Sequence, residues 1–513
     1  MNTSPLFINK FQEGSAENAN LGFGVFVGVD TQGIQGVVRP SKISEKVSGS
    51  VVTGMPTYFT AKDDDEYFCL DEDGNVYKST DAGESWSTVS GTTTTSSNGN
   101  GLQWFEGYLF DFRNTIIDYW NGASWTASWK TGLTNADHYT FVFPSAYGFY
   151  FANGNKLGFI GKVDANTTFN PGGTLGTDYL YTNNIFELPD LYTIHCMAFL
   201  SPNYLALGTG SKYNATVADI ILWDTITKNK FEPPLRLFSR AYEGQNGVRQ
   251  LINRNNSLYA VTGGSHTLFE TNGTTFREIG NVSKMCKYRN STLNETPVEV
   301  FLHPKAGAIE VIGNKLLTGV SSRSGVPSGT PSGYGPYPMG VWSASFTNDS
   351  EIMVCENVLS TGETIAQGSV NPIRIGAIKA TTQGRLLIGW ETGTAVGIDL
   401  VNAFNYQTTI GNTAIESPMF EIGTPLMPEV VSNIEINLTR KLLTNQTLAV
   451  YYRKLFDEDY TLLETFTGDG TLAKYHITSN PIGETQYLQI LLRMATVSGQ
   501  EKQSVDLRNC IIS

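Results

Sequence analysis

Ser79-Thr-Asp-Ala-Gly-Glu-Ser-Trp86 decides the fold of this chain. It follows a strand-like run, Gly74-Asn-Val-Tyr-Lys78, and fits the pattern S-x-D-x-G-x-x-W. Each fixed position has a physical task. The Ser and Asp side chains bond backbone amides of a tight turn. The Gly supplies the positive φ that a sharp reversal needs. The Trp folds back and staples the hairpin to its sheet. A chain that carries such a hairpin is built from short antiparallel strands.

Outward from that turn the same grammar recurs. An apolar strand, a Gly or Asn turn, a second strand and a third follow one another repeatedly. The second strand is the most recognisable element: Glu66-Tyr-Phe-Cys-Leu70, Tyr108-Leu-Phe110, Gly148-Phe-Tyr-Phe-Ala152, Tyr204-Leu-Ala-Leu-Gly208, Ser257-Leu-Tyr-Ala-Val-Thr262, Lys315-Leu-Leu-Thr-Gly-Val320 and Arg385-Leu-Leu-Ile-Gly-Trp390. The units are roughly 35–65 residues long, which suits four-stranded blades with variable loops. The expected fold is all-β: an about seven-bladed β-propeller followed by a small antiparallel β-sandwich.

Upstream, Phe23, Val25, Val27 and Val29 alternate with a strand period. Residues 1–48 are read as an N-terminal arm with ring-closing strands, and 49–415 as the propeller. Two stretches depart from the repeat and are read as long loops: 160–190, and the Gly-, Pro- and Ser-rich 321–338. From about residue 416 the blade pattern stops. Gly423-Thr-Pro-Leu-Met-Pro428 reads as a linker. Segments such as Val430–Leu438, Thr447–Arg453 and Tyr487–Arg493 then alternate with period two, so 416–513 is read as the sandwich.

Composition narrows the function. Of 513 residues, 40% are hydrophobic and only 16% charged, with 52 Gly, which suits short strands and tight turns. The net charge of -13 argues against a sequence-specific nucleic-acid partner, which calls for a basic face. The N-terminus lacks the pattern of a signal peptide, and no apolar run reaches membrane-span length. Cys69, Cys196, Cys286, Cys355 and Cys510 are scattered without paired spacing, so buried reduced thiols are expected.

Tests for chemistry return little. Asp71, Asp73 and Asn75 have the i, i+2, i+4 spacing of a calcium loop. Gly74, however, falls at the fourth position and Ala82 at the twelfth, so an Asp-Gly hairpin explains the segment better. His138, His195, His266, His303 and His476 stand apart from one another. No phosphate-binding glycine loop and no nucleophile elbow is present. The expectation is no catalytic residue, no cofactor and no metal.

The Ser79–Trp86 stretch resembles the Asp box of sialidase-type propellers. In that family the box marks a blade's edge, away from the axial channel. A sialidase also needs an arginine triad, a Tyr nucleophile with a Glu partner, and an Asp acid. The nearest candidate for the first arginine is in Val37-Val-Arg-Pro40, which lacks the residue the family has between Arg and Pro. Only one good box is present. Ser79, Asp81, Gly83 and Trp86 are therefore assigned a structural role.

The opening of the chain is similar to that of propeller-bearing structural proteins of tailed-phage tails, of the nozzle or tail-tip type. Val29-Asp30, Gly36-Val-Val38 and Asp73–Trp86 carry the resemblance. It implies a non-enzymatic virion protein made in the host cytoplasm. Its expected partners are further copies of itself and neighbouring tail proteins, with a share in the DNA exit channel as a further implication. The alternative expectations are a tail-tip adhesin for host-surface glycan and, behind it, an Asp-box glycosidase.

Overall fold

The computed structural model describes residues 6–8, 26–27, 29–30, 38–89, 99–134, 139–145, 147–211, 217–226, 235–241, 247–263, 266–272, 276–282, 304–313, 315–321, 340–347, 350–357, 374–392, 395–407, 413–417, 420–422, 428–455, 460–478, 482–497 and 503–512. Its recurring element is an antiparallel meander of four strands. The first comprises Pro56–Ala61, Tyr67–Asp71, Val76–Ser79 and Ser87–Thr88. The second comprises Gly101–Phe105, Tyr108–Arg113, Ile116–Trp120 and Trp125–Thr131. The third comprises Phe141–Ser145, Gly148–Asn153, Lys156–Gly161 and Leu180–Glu187.

Further units follow in chain order. Tyr192–Ser201, Tyr204–Ser211, Val217–Trp223 and Leu235–Ala241 form the fourth. Val248–Arg254, Ser257–Thr262, Thr267–Thr271 and Phe276–Asn281 form the fifth. Ile309–Ile312, Lys315–Val320, Gly340–Thr347 and Ser350–Asn357 form the sixth. The last has Arg374–Ala380, Leu386–Thr392 and Ala395–Tyr406, and takes its outer strand, Lys42–Lys46, from the other end of the chain.

The first strand of each unit is the innermost. These strands lie against their neighbours round a ring, and Pro56–Ala61 touches both Gly101–Phe105 and Arg374–Ala380, so the ring closes. Between the second and third units, Tyr139 and Phe141 pack onto Gly101. The second strands are buried on both faces, as in Tyr67–Asp71 and Gly148–Asn153, because each sheet is covered by one neighbour on either side. That double burial explains their near-continuous apolar sequences. The chain is a β-propeller joined to a small β-sandwich.

The sandwich is not purely C-terminal. One of its sheets orders Leu6–Ile8, Leu507–Ile512, Ile434–Leu438 and Lys474–Ile477. The facing sheet holds Ala414–Glu416, Tyr487–Ala495, Thr447–Arg453 and Thr461–Thr467. Phe26–Val27 pairs both with Ala414–Glu416 and with Ser350–Asn357, which makes this sheet continuous with the sixth unit. Val29 and Val38 are fully buried among Ile434, Leu448, Ile490 and Ile512. On the sheet's other face, Leu491 joins Trp342, Leu316 and Tyr259 of the fifth and sixth units. The segment read as an arm thus contributes to the core of one domain and to the outer strand of the other.

The stretch 160–190 also differs from its sequence reading. Leu180–Glu187 is the outer strand of the third unit, so the insertion is shorter, 162–179. It folds onto the second unit, where Phe169 is buried against Phe105, Tyr108 and Phe110. Of the Gly- and Pro-rich loop, 322–338 lies outside the described residues, as do 423–427 of the linker and His138, Cys286 and His303.

Candidate functional site

Ser79–Trp86, the stretch that resembles an Asp box, occupies the turn between Val76–Ser79 and Ser87–Thr88. Ser79 Oγ donates to Asp81 Oδ1 at 2.7 Å and accepts the Gly83 amide at 2.9 Å. Asp81 Oδ1 also accepts the Ser85 amide at 2.9 Å. Burial alone would raise the Asp81 carboxyl, but hydrogen bonds from Ser85 and Ser79 outweigh it and hold the group below its ordinary value. Ala82 and Gly83 both take positive φ, 56° and 91°. The Ala82 amide donates to the Asp65 carbonyl at 2.8 Å, which ties the box to the turn between the unit's first two strands.

Trp86 shows what the box is for. Its Nε1 donates to the Gly83 carbonyl at 3.2 Å, and the ring is buried among Tyr67, Cys69 and Tyr77 of its own unit. The same cluster contains Leu387, Ile398 and Leu400 of the last unit. Arg385 of the last unit pairs with Glu84 of the box at 2.7 Å. The staple therefore joins the first unit to the last, at the place where the ring must close. Sequence reasoning placed Trp86 against its own sheet and had no means of seeing the second partner.

The opposite end of the same unit carries the Asp71–Asn75 turn. Asp71 Oδ2 accepts from the Gly54 amide at 3.0 Å, Asn75 Nδ2 at 3.1 Å and Tyr77 Oη at 2.7 Å, and Oδ1 accepts the Asn75 amide at 2.8 Å. With four protein donors on one carboxylate, the segment is an Asp-Gly turn rather than a calcium loop. The carbonyl of Gly74 in that turn accepts from Arg113 Nη2 of the second unit at 3.2 Å.

Arg113 leads to a charged cluster that the sequence reading missed. It pairs with Asp111, two residues back on the same face, and lies 3.7 Å from Asp118, which is register-matched to Asp111 across the sheet. All three side chains are buried. Burial, the larger effect, pushes Asp111 up to about 7 against the pull of Arg113. The available signal was the charge at alternate positions inside an otherwise aromatic strand, Tyr108-Leu-Phe-Asp-Phe-Arg113.

The innermost strands are the natural place for catalytic chemistry in a ring of this kind. Those of the first three units carry no charged residue: Pro56–Ala61, Gly101–Phe105 and Phe141–Ser145. On the others, each described charged or histidine side chain has a partner within the chain. Arg374 pairs with Glu391 and with Glu72 at 3.0 Å, Lys379 with Glu310 at 3.0 Å, and Arg249 with His195 at 3.3 Å. Arg254 also has a partner. Among the described residues no group of three or more His, Cys, Asp and Glu side chains is arranged to hold a metal.

The remaining sequence candidates are dispersed. Arg39 lies outside the innermost strands, in the short hairpin of Val29–Asp30 with Arg39–Pro40, where it binds Asp30 at 3.0 Å. His266 is fully buried between the fifth and sixth units, with Nε2 3.0 Å from Thr318 Oγ1, and burial pushes it down to about 3. His476 is exposed at the edge of the sandwich. Cys69, Cys196 and Cys510 are buried free thiols far apart in the fold, and burial raises all three. Among the described residues no helix is long and apolar enough to cross a membrane.

No protein-family model matches the chain, and no curated protein matches it. Some solved structures are similar to the chain at low identity. The WD40 domain of Neurospora crassa Pan2 is 8% identical over 71% of this chain and 98% of its own, with a TM-score of 0.42. YCF48 bound to D1 peptide is 8% identical over 71% of this chain and 97% of its own, also at 0.42. An extracellular domain from B. thetaiotaomicron, BT4673, is 14% identical over 78% of this chain, at 0.45. That match spans 43% of the extracellular domain's own chain.

Proposed function

We propose that this chain is a non-enzymatic structural component of a tailed-phage tail, working through contacts with copies of itself and with neighbouring tail proteins. The observation that carries the non-enzymatic part is the state of the innermost strands. Three have no charged residue, and the charged side chains of the others are committed to partners inside the chain. A glycosidase needs a pair of carboxylates aimed at one bond. The nearest arginine candidate, Arg39, instead anchors the N-terminal hairpin.

The placement in a tail rests on the resemblance of Val29-Asp30, Gly36-Val-Val38 and Asp73–Trp86 to tail propellers, which is an argument by analogy. Negative-stain microscopy of intact particles with an antibody to this chain tests it. Label at the tail is the expected result. Particles whose tails carry no label would overturn the reading. Release of reducing sugar from host envelope by the purified chain would favour the glycosidase instead.

A further inference from the structure

A cluster of cations lies where the N-terminal hairpin meets the sixth and last units. Arg39 Nε and Nη2 donate to Asp30 Oδ2 at 3.2 and 3.0 Å, and Lys315 Nζ donates to Asp30 Oδ1 at 3.2 Å. Lys42 stands over the Tyr406 ring, its Nζ 3.4 Å from the ring centre, and Arg39 Cζ lies 5.5 Å from the same ring. Three cations thus gather round one carboxylate. Asp506, a further carboxylate that acts on Arg39, is paired with Arg440 at 2.8 Å.

Strand periodicity turns these groups toward one another. Leu317, two residues after Lys315, packs into the core between the sixth and last units. Val401 of the last unit packs against that same core and is register-matched to Ser44, two residues after Lys42. Lys42 and Ser44 therefore face the sixth unit, on the side from which Lys315 approaches. Ser44 is 5% exposed and, among the described residues, its Oγ has no hydrogen-bond partner. Arg39, Asp30 and Lys315 keep some exposure, so a small ion can reach them.

The cluster is short of negative charge. Burial, the largest effect, and then Arg39 push Lys42 down to about 8, with Lys315 adding to the push and Asp30 opposing it. A second anion would relieve that crowding. Arg39 spends only two N–H groups of its fork on Asp30, which leaves the rest for a ligand. The chain as a whole carries -13, so the positive excess is local. It is no part of the broad basic face that a nucleic acid needs.

We infer that Arg39, Lys42, Lys315 and the Ser44 hydroxyl bind a small phosphate dianion, either inorganic phosphate or a phosphomonoester. The charge matches: the cluster has two positive charges in excess, and a phosphate monoester carries about -1.5 to -2 at pH 7. Arg offers phosphate a planar fork, and Lys offers it a point charge. A carboxylate would cancel only half of the excess. The bound ion ties the N-terminal hairpin and the outer strand Lys42–Lys46 to the sixth unit, so it reinforces the closure of the ring. The inference does not depend on placement in a tail.

Titration calorimetry of the purified full chain with inorganic phosphate, in chloride buffer of matched ionic strength, tests it. Saturable binding is expected, with a melting temperature that rises as phosphate is added. Hydrogen exchange at residues 42–46 should slow in phosphate. Lys42→Met and Lys315→Met should each weaken binding about tenfold or more, because each removes a charged donor. Lys474→Met, which removes a sandwich cation paired with Glu435, is the control and should leave binding unchanged. Circular dichroism verifies that each variant is folded. Glycerol phosphate distinguishes the two sources: tighter binding than inorganic phosphate assigns the site to a phosphomonoester, and weaker binding assigns it to the free ion. A dinucleotide with one singly charged phosphodiester should bind more weakly than both. A wild-type chain that gives no binding heat and no rise in melting temperature with phosphate would overturn the inference. So would binding indifferent to both Lys42→Met and Lys315→Met, or a dinucleotide that binds as tightly as phosphate.

Discussion

Gly83 and Leu387 meet across the closing seam of the ring so closely that a β-carbon on Gly83 would lie 2.7 Å from Leu387 Cδ2. Leu387 is fully buried, and its Cδ1 and Cγ would also stand within 3.4 Å, so it has little room to swing aside. Gly83 also holds φ at 91°. Gly83→Ala therefore meets two costs. The left-handed backbone costs about 1–2 kcal/mol for a residue with a side chain. Overpacking a filled core adds about 1–3 kcal/mol. The expected outcome is a clearly lower melting temperature by scanning calorimetry. Gly107→Ala, with a similar φ of 88° but open space around it, isolates the backbone cost and should fall less.

Trp86 distinguishes a hairpin staple from a seam lock. Trp86→Ala leaves a large cavity between the first and last units, worth about 3–5 kcal/mol. Trp86→Phe keeps most of the packing but loses the bond to the Gly83 carbonyl, which contributes about 1 kcal/mol. If the ring is locked here, Trp86→Ala should also speed release of the outer strand Lys42–Lys46, which pairs with Ala395–Tyr406 of the last unit. Hydrogen exchange at residues 42–46 measures it. Loss of protection confined to residues 76–88 would show that Trp86 serves its own hairpin alone.

These two residues also show how far a sequence can be read. The turn chemistry of Ser79, Asp81 and Gly83 is local, so eight residues suffice to recognise it. The second strands are legible because burial on both faces turns them into apolar runs. Ring closure by residues 1–48 was legible, and Lys42–Lys46 does pair with Ala395–Tyr406 of the last unit. What escaped was the second use of the same segment: nothing in Leu6–Ile8 names Leu507–Ile512. Leu180–Glu187 was hidden for another reason. Its burial is mostly intermediate, so Leu-Tyr-Thr-Asn-Asn lacks the alternation that marks a half-buried strand. The Asp111, Arg113 and Asp118 cluster was visible as three charges, but only the register across Tyr108–Arg113 and Ile116–Trp120 brings them together.

The insertion of the third unit rests on an aromatic cage. Lys130 Nζ lies 4.7 Å from the Trp129 ring, 4.8 Å from Tyr179 and 5.0 Å from Tyr181, and donates to Tyr179 Oη at 2.7 Å. Trp129 Nε1 donates to the Pro171 carbonyl at 2.6 Å. Each cation–ring contact in a part-buried setting is worth about 0.5–2 kcal/mol. Lys130→Gln should lower stability by about 1–2 kcal/mol and raise hydrogen exchange in 164–179. Lys130→Arg, which keeps the charge and the stacking surface, should recover most of it. Equal loss in both variants would contradict a cation-dependent clamp.

Asp111 makes a prediction about pH. Its folded-state value is raised from 3.8 to about 7, mainly by burial. The folded chain therefore holds a proton between about pH 4 and 7 that the unfolded chain has released. Stability falls with rising pH wherever the folded state binds more protons, so this group is most favourable at the acidic end of that window. As pH climbs through about 7, Asp111 ionises inside the sheet beside Asp118, with Arg113 as their shared cation. Asp111→Asn replaces the protonated form with a neutral group of the same shape and removes the titration. The wild-type melting temperature should decline from pH 5 to pH 8 more steeply than that of Asp111→Asn, with the variant gaining on the wild type toward pH 8. Parallel curves across that range would show that Asp111 stays ionised in the fold, held by Arg113 against burial.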